Sequence, residues 1–131
     1  MTIENSSDGA TPTGLSSKHV LVVEDEPLLR LLIADELRER GYDVDEAVDG
    51  DAALSMLAGD AYDMMLTDVQ MPGSLDGVHL AERVRSDWPR TKIIIFSGNM
   101  PAGGQGATAD LVLKKPVDFP LLLDSVRRLL N

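Results

Sequence analysis

Polar residues gather where the apolar runs of this chain stop. HVLVV is followed by Glu24 and Asp25, YDMMLTD closes on Asp68, KIIIF is followed by Ser97, and LVL leads into Lys114 and Lys115. Singly, each has an ordinary use. Asp25 or Glu26 can cap a helix, Asp68 can shape a turn, and a lone serine or lysine can simply face water. Gathered in one place they can do chemistry. Three carboxylates together raise one another's pKa unless a cation stands among them. A lysine supplies one such charge, and a hard divalent cation with oxygen ligands, such as Mg²⁺, supplies another. Mg²⁺ keeps several of its waters and takes one or two carboxylates, which leaves a third free to act as a nucleophile. A carboxylate nucleophile beside a metal, an ammonium and a hydroxyl suits phosphoryl transfer, where positioning and charge neutralisation carry the catalysis.

These residues meet only if the apolar runs are neighbouring parallel strands. HVLVV (19–23) is short and β-branched, the mark of a strand buried on both faces. Pro27 suits the first turn of a helix. Leu29, Leu32, Ile33 and Leu37 follow at helical spacing, with Gly41 as the stop. YDVDEA (42–47) reads as a more polar strand at a sheet edge. Asp49 can cap a helix carrying Ala53, Met56 and Leu57 that ends at Gly59. YDMMLTD (62–68), KIIIF (92–96) and LVL (111–113) read as further strands. Val78, Ala81, Val84 and Trp88 mark a third helix stopped by Pro89, and Asp118 caps a last helix with Leu122, Val126, Leu129 and Leu130 inward. Strands alternating with helices make an α/β fold, an open parallel sheet with right-handed crossover helices on both faces. In such a sheet ligands bind at the carboxyl ends of the strands, which is where Glu24, Asp25, Asp68, Ser97 and the lysines fall. One unit departs from the pattern. Between KIIIF and LVL, Pro101, Gly103, Gly104 and Gly106 oppose a regular helix, so the fourth helix is expected to be short or missing.

The bulk composition narrows the function classes. The 131 residues suffice for one domain, and 44% of them are hydrophobic, which suits a globular core. A net charge of −10 argues against a nucleic-acid surface, where basic patches supply the binding energy. There is no cysteine, hence no disulfide or thiolate metal site, and no apolar run approaches a membrane span of roughly 20 residues. Residues 1–17, rich in Ser, Thr, Gly and Pro, read as a disordered tail without a signal-peptide core, and a domain is expected over 18–131. His19 and His79 lack a second His or Cys at ligand spacing and read as surface residues.

The motifs VLVVEDEP, MLTDVQMPGSLDG, IIIFSGN and LKKP, in this order and roughly this spacing, resemble those of the receiver domain of bacterial two-component response regulators. The likeness spans about residues 18–131. It implies a CheY-like, flavodoxin-like doubly wound sheet of five parallel strands in the order 2-1-3-4-5. It implies that Asp68 accepts a phosphoryl group from the phosphohistidine of a sensor histidine kinase or a histidine phosphotransfer protein. Asp25 would ligate Mg²⁺ directly, Glu24 through water, and Asp68 with the backbone carbonyl of Gln70 would complete the protein ligands. Ser97 would hydrogen-bond one phosphoryl oxygen and Lys115 would pair with another. The residue directly before proline matches the motif, which selects Lys115 over Lys114, and the Lys115–Pro116 peptide would be cis. Such a chain catalyses only its own phosphorylation and dephosphorylation. It would act in the cytoplasm as a single-domain monomer, signal by binding another protein, and dock its kinase through the apolar first helix.

Four features depart from the family pattern. Glu24 stands where Asp is usual, and MPGSLDG carries one residue more than the common loop. Val112 replaces the frequent aromatic three residues before the lysine, and the glycine-rich stretch takes the place of most of the fourth helix. The last two bear on output, and an ordering of residues 98–109 around the phosphoryl group would be an alternative switch. Other readings fit less well. A receiver-like module that binds without phosphorylation needs no complete acid, hydroxyl and lysine set. An aspartate-nucleophile phosphatase needs an Asp-x-Asp pair, but Asp25 is followed by Glu26 and Pro27. The P-loop pattern is absent.

Overall fold

Burial of the apolar runs on both faces decides the architecture. The computed structural model describes residues 17–71, 73, 75–98 and 108–131. Five strands form one parallel sheet: β1 (His19–Val23), β2 (Asp43–Ala47), β3 (Met64–Asp68), β4 (Lys92–Ser97) and β5 (Leu111–Lys114). Their order is β2-β1-β3-β4-β5, with the polar strand at one edge as its composition requires. The helices among the described residues are α1 (Pro27–Glu39), α2 (Gly50–Gly59), α3 (Gly77–Asp87) and α4 (Phe119–Leu130). This is the doubly wound α/β fold expected from the alternation. The expected tail and the glycine-rich stretch fall, at 1–16 and 99–107, outside the described residues. So does most of the segment for which an ordering switch was suggested.

Successive strand residues point to opposite faces, so each apolar run feeds two cores. Val20, Val22, Met64, Leu66, Ile94 and Phe96 pack with Ile33, Leu37, Leu122 and Val126 on the α1 and α4 side. Leu21, Val23, Met65, Ile93 and Ile95 pack with Ala53, Leu57, Leu80 and Val84 on the α2 and α3 side. Each fully buried side chain of this size contributes about 1.5–3 kcal/mol relative to exposure. Two helix faces differ from expectation. Leu32 is exposed and Ala34 takes the buried position, and Leu80 joins Ala81 and Val84 as the buried face of α3.

The helix ends follow local chemistry. Asp49 and Asp118 cap α2 and α4, accepting hydrogen bonds from the Ala52 N–H at 2.8 Å and the Leu121 N–H at 3.0 Å. Pro27 opens α1, and Gly41 ends it at φ +93°, a left-handed conformation that favours glycine. The chain winds in opposite directions from β1 and β3, so a crevice opens at the carboxyl ends of these two strands.

Candidate functional site

Sheet register assembles the site. Val23 pairs with Thr67, which sets Glu24 and Asp25 beside Asp68 at the mouth of the crevice. One carboxylate oxygen from each of Glu24, Asp25 and Asp68 lies within 4.8 Å of the others. Glu24 and Asp68 are buried and Asp25 is exposed, so the cup has one wall open to solvent. On the other side Asp68 pairs with Phe96, and the Val69 N–H donates to the Phe96 carbonyl at 3.0 Å. Ser97 follows at the end of β4 and is 3% exposed. Ser97 pairs in turn with Lys114, and the Lys115 N–H donates to the Ser97 carbonyl at 2.9 Å.

The end of β5 separates the two lysines. Lys114 is exposed, whereas Lys115 turns inward. Its Nζ donates to Asp68 Oδ2 at 2.5 Å and lies 3.6 Å from Glu24 Oε1. The Lys115–Pro116 peptide is cis. The Gln70 N–H donates to Asp68 Oδ1 at 3.3 Å. The structure thus brings Glu24, Asp25, Asp68, Gln70, Ser97 and Lys115 to one end of the sheet.

Two supporting contacts were not read from the sequence. Glu26 occupies the N-cap of α1 but makes no side-chain capping bond. Its N–H donates instead to Glu24 Oε2 at 3.1 Å, which aims the Glu24 carboxylate. Arg30, one turn into α1, donates from its guanidinium to the Glu24 carbonyl at 2.8 Å and to Glu46 at 3.3 Å. Helical side chains lean toward the N-terminus, and that lean is the signal that could have found Arg30.

The electrostatics match this geometry. Burial raises the Glu24 pKa most, and the contact with Asp25 and the charge of Asp68 raise it further against the Glu26 N–H and Lys115. Burial opposes the Lys115 charge, but the bond to Asp68 and the charges of Asp68 and Glu24 outweigh it and hold the ammonium protonated. A single ammonium facing three carboxylates leaves the cup short of positive charge. The donor set is all oxygen, with an open wall that admits water. These are the preferences of a hard divalent cation such as Mg²⁺, and the residues fit one.

At the opposite end of the sheet, His19 corrects the expectation of a plain surface residue. Its side chain is 17% exposed. Nε2 donates to Asp45 Oδ2 at 2.8 Å and Nδ1 donates to the Ala61 carbonyl at 2.9 Å. Tyr62 stacks on the ring with centroids 4.1 Å apart and donates to the same Asp45 oxygen at 2.6 Å. His79 is exposed on α3, as expected.

Comparison with known proteins agrees with this picture. A family model described as the response regulator receiver domain matches residues 20–127. Sensor protein EvgS of Escherichia coli K12 is 36% identical over 107 residues, covering 79% of this chain and 9% of EvgS. The chain therefore spans less than a tenth of that relative's length. Response regulator TrrA of Thermotoga maritima, solved in complex with Mg²⁺-BeF, superposes with a TM-score of 0.79 at 33% identity, covering 86% of this chain and 98% of TrrA. TrrA in its complex with histidine kinase ThkA superposes with a TM-score of 0.79 at 34% identity, covering 87% of this chain and 99% of TrrA.

Proposed function

The chain belongs to the family of response regulator receiver domains of two-component signalling, and on that premise we propose that it accepts a phosphoryl group on Asp68. The donor is the phosphohistidine of a sensor histidine kinase or of a histidine phosphotransfer protein. The carrying observation is a buried carboxylate bonded to Lys115 and set within 4.8 Å of two further acids at the sheet's switch point.

The chain's own residues divide the work. An oxygen of Asp68 attacks phosphorus as the P–N bond to the donor imidazole breaks, and the imidazole leaves with a proton. Lys115, which bonds the acceptor carboxylate at 2.5 Å, is within reach of a phosphoryl oxygen attached there. Ser97, on the adjacent strand, donates its hydroxyl to another. Asp25 and Asp68 would hold Mg²⁺ directly and Glu24 through water, and the Gln70 carbonyl would add a ligand. When bound, Mg²⁺ offsets the negative charge shared by the phosphoryl oxygens and the acids. The TrrA complex with Mg²⁺-BeF and the ThkA–TrrA complex support the metal and the kinase as partners.

The product signals by binding another protein. Kinases draw the phosphoryl group from ATP, which sets the exchange in the cytoplasm. No helix among the described residues is long and apolar enough to cross a membrane. We read the chain as a monomer with no catalytic turnover beyond its own phosphorylation and dephosphorylation.

Intact mass after incubation with acetyl phosphate and Mg²⁺ tests the proposal. One phosphoryl adduct is expected on the wild type, lost with EDTA, absent from Asp68→Asn and labile to hydroxylamine. No adduct from acetyl phosphate or from a panel of phosphorylated kinases would overturn it in favour of a phosphorylation-independent binding module.

A further inference from the structure

Helix α3 begins directly against the backbone of the acceptor residue. The Gly77 N–H donates to the Val69 carbonyl at 2.9 Å. A Cβ placed on Gly77 would lie 1.8 Å from the Asp68 carbonyl oxygen, 2.7 Å from its carbonyl carbon and 3.0 Å from the Val69 Cα. Real Cβ atoms essentially never come closer than 3.0 Å to such neighbours. The obstruction is backbone, so no change of rotamer relieves it. Gly77 does not have a positive φ, so close approach, and not conformational freedom, accounts for glycine here.

A second glycine supports the same loop from another helix. Gly50 opens α2, and a Cβ on it would meet the Leu75 carbonyl oxygen at 2.9 Å and the Leu75 Cδ2 at 3.0 Å. Leu75 lies on the stretch that runs from Asp68 to Gly77. By contrast, a Cβ on Gly59, at the far end of α2, would meet nothing within 4 Å.

We propose that Gly77 is a positioning residue of the phosphoacceptor site, setting where the Asp68 carboxylate stands relative to Glu24, Asp25 and Lys115, with Gly50 supporting the loop through Leu75. The inference rests on Asp68 being the acceptor. Asp68 is the last residue of β3, held by the sheet on one side and by the start of α3 on the other. A side chain at 77 pushes the acceptor carbonyl by about an ångström and carries the carboxylate off its partners. A misplacement of about 1 Å can cost roughly a hundredfold in rate.

The test measures initial rates of adduct formation from acetyl phosphate across a Mg²⁺ series, with urea midpoints, for the full chain. Gly77→Ala, Gly50→Ala, Gly59→Ala and Leu57→Ala are compared with wild type well below their melting temperatures. Gly77→Ala is expected to lose about ten- to a hundredfold in limiting rate and to need more Mg²⁺ for half-saturation. Gly50→Ala is expected to lose severalfold. Gly59→Ala should keep the wild-type rate, and so should Leu57→Ala, whose buried side chain lies on α2, although its urea midpoint falls. A folded Gly77→Ala that matches the wild-type rate overturns the proposal. If Gly77→Ala does not fold, Gly50→Ala decides, and a folded Gly50→Ala at the wild-type rate overturns it. A wild type without any adduct refutes the acceptor assignment itself, which is a separate outcome.

Discussion

Asp68 is gripped at both carboxylate oxygens, by the Lys115 ammonium on one and the Gln70 N–H on the other. In the proposed reaction the lysine is a preorganised donor beside the accepting carboxylate. Lys115→Ala is expected to slow phosphorylation from acetyl phosphate by about a hundredfold or more, the usual scale for removing one such donor. Initial rates at saturating Mg²⁺ check this, with Lys114→Ala, on the exposed neighbour, close to wild type. His19 shows a different use of charge. Both ring nitrogens face oxygen acceptors, an arrangement that favours the imidazolium over the neutral ring. Burial opposes that charge, but the bonds to Asp45 and the Ala61 carbonyl, with the charges of Asp45 and Asp43, raise its pKa above the ordinary value. Its stabilisation is complete below the unfolded pKa of about 6.5 and is lost as pH rises through the higher folded value. The urea midpoint is therefore expected to fall on going from about pH 6 to about pH 9, and His19→Gln to remove that part of the slope. A slope left unchanged by the substitution would contradict the assignment.

At the scale of elements, caps and stripes were legible to different degrees. Asp49 and Asp118 cap the helices they were expected to cap, because an acid at that position can reach an N–H within the first turn without tertiary help. Asp118→Ala is expected to cost about 1 kcal/mol, read as a lower urea midpoint with an unchanged denaturant slope. The α1 stripe was less legible. Leu28, Leu29, Leu31, Leu32, Ile33 and Leu37 offer more apolar positions than one face of a helix can bury. The sheet takes Ile33, Ala34 and Leu37, with Leu29 partly covered. Periodicity alone does not tell which face meets the sheet when the apolar arc is this wide.

At the scale of the molecule, the leftover leucines of α1 offer a surface on which the proposed phosphohistidine donor could dock. Leu28 is 66% exposed, and Leu31 and Leu32 stand out with it on the helix that starts beside Glu24 and Asp25. A donor protein that presents a phosphohistidine to Asp68 must rest close by, and exposed apolar side chains next to a polar cup suit that contact. The double variant Leu28→Ser with Leu32→Ser is expected to slow transfer from a phosphorylated kinase at least tenfold, on the order of a small hot-spot cluster. The rate from acetyl phosphate, which needs no docking, should stay at the wild-type value. Equal slowing with both donors would point to damage at the site and not to a docking face.

The amino-acid sequence by itself determined the strands, the edge position of β2, the doubly wound class and the polar residues at the strand ends, with Gln70 and the choice of Lys115 coming from the family resemblance. Those are consequences of short-range pattern: apolar runs bounded by breakers, alternation of strand and helix, and polar residues placed where strands stop. Tertiary structure alone decided what depends on distances between segments far apart in the chain. It set the ammonium of Lys115, which the motif had already singled out, against Asp68 and Glu24. It paired Arg30 with the Glu24 carbonyl, and it joined His19 to Asp45 and Ala61 across three segments. It also brought Gly77 against the Asp68 carbonyl. No local propensity encodes such a contact, since it arises only when a helix is laid across the end of a strand and the packing leaves no room for a single carbon atom.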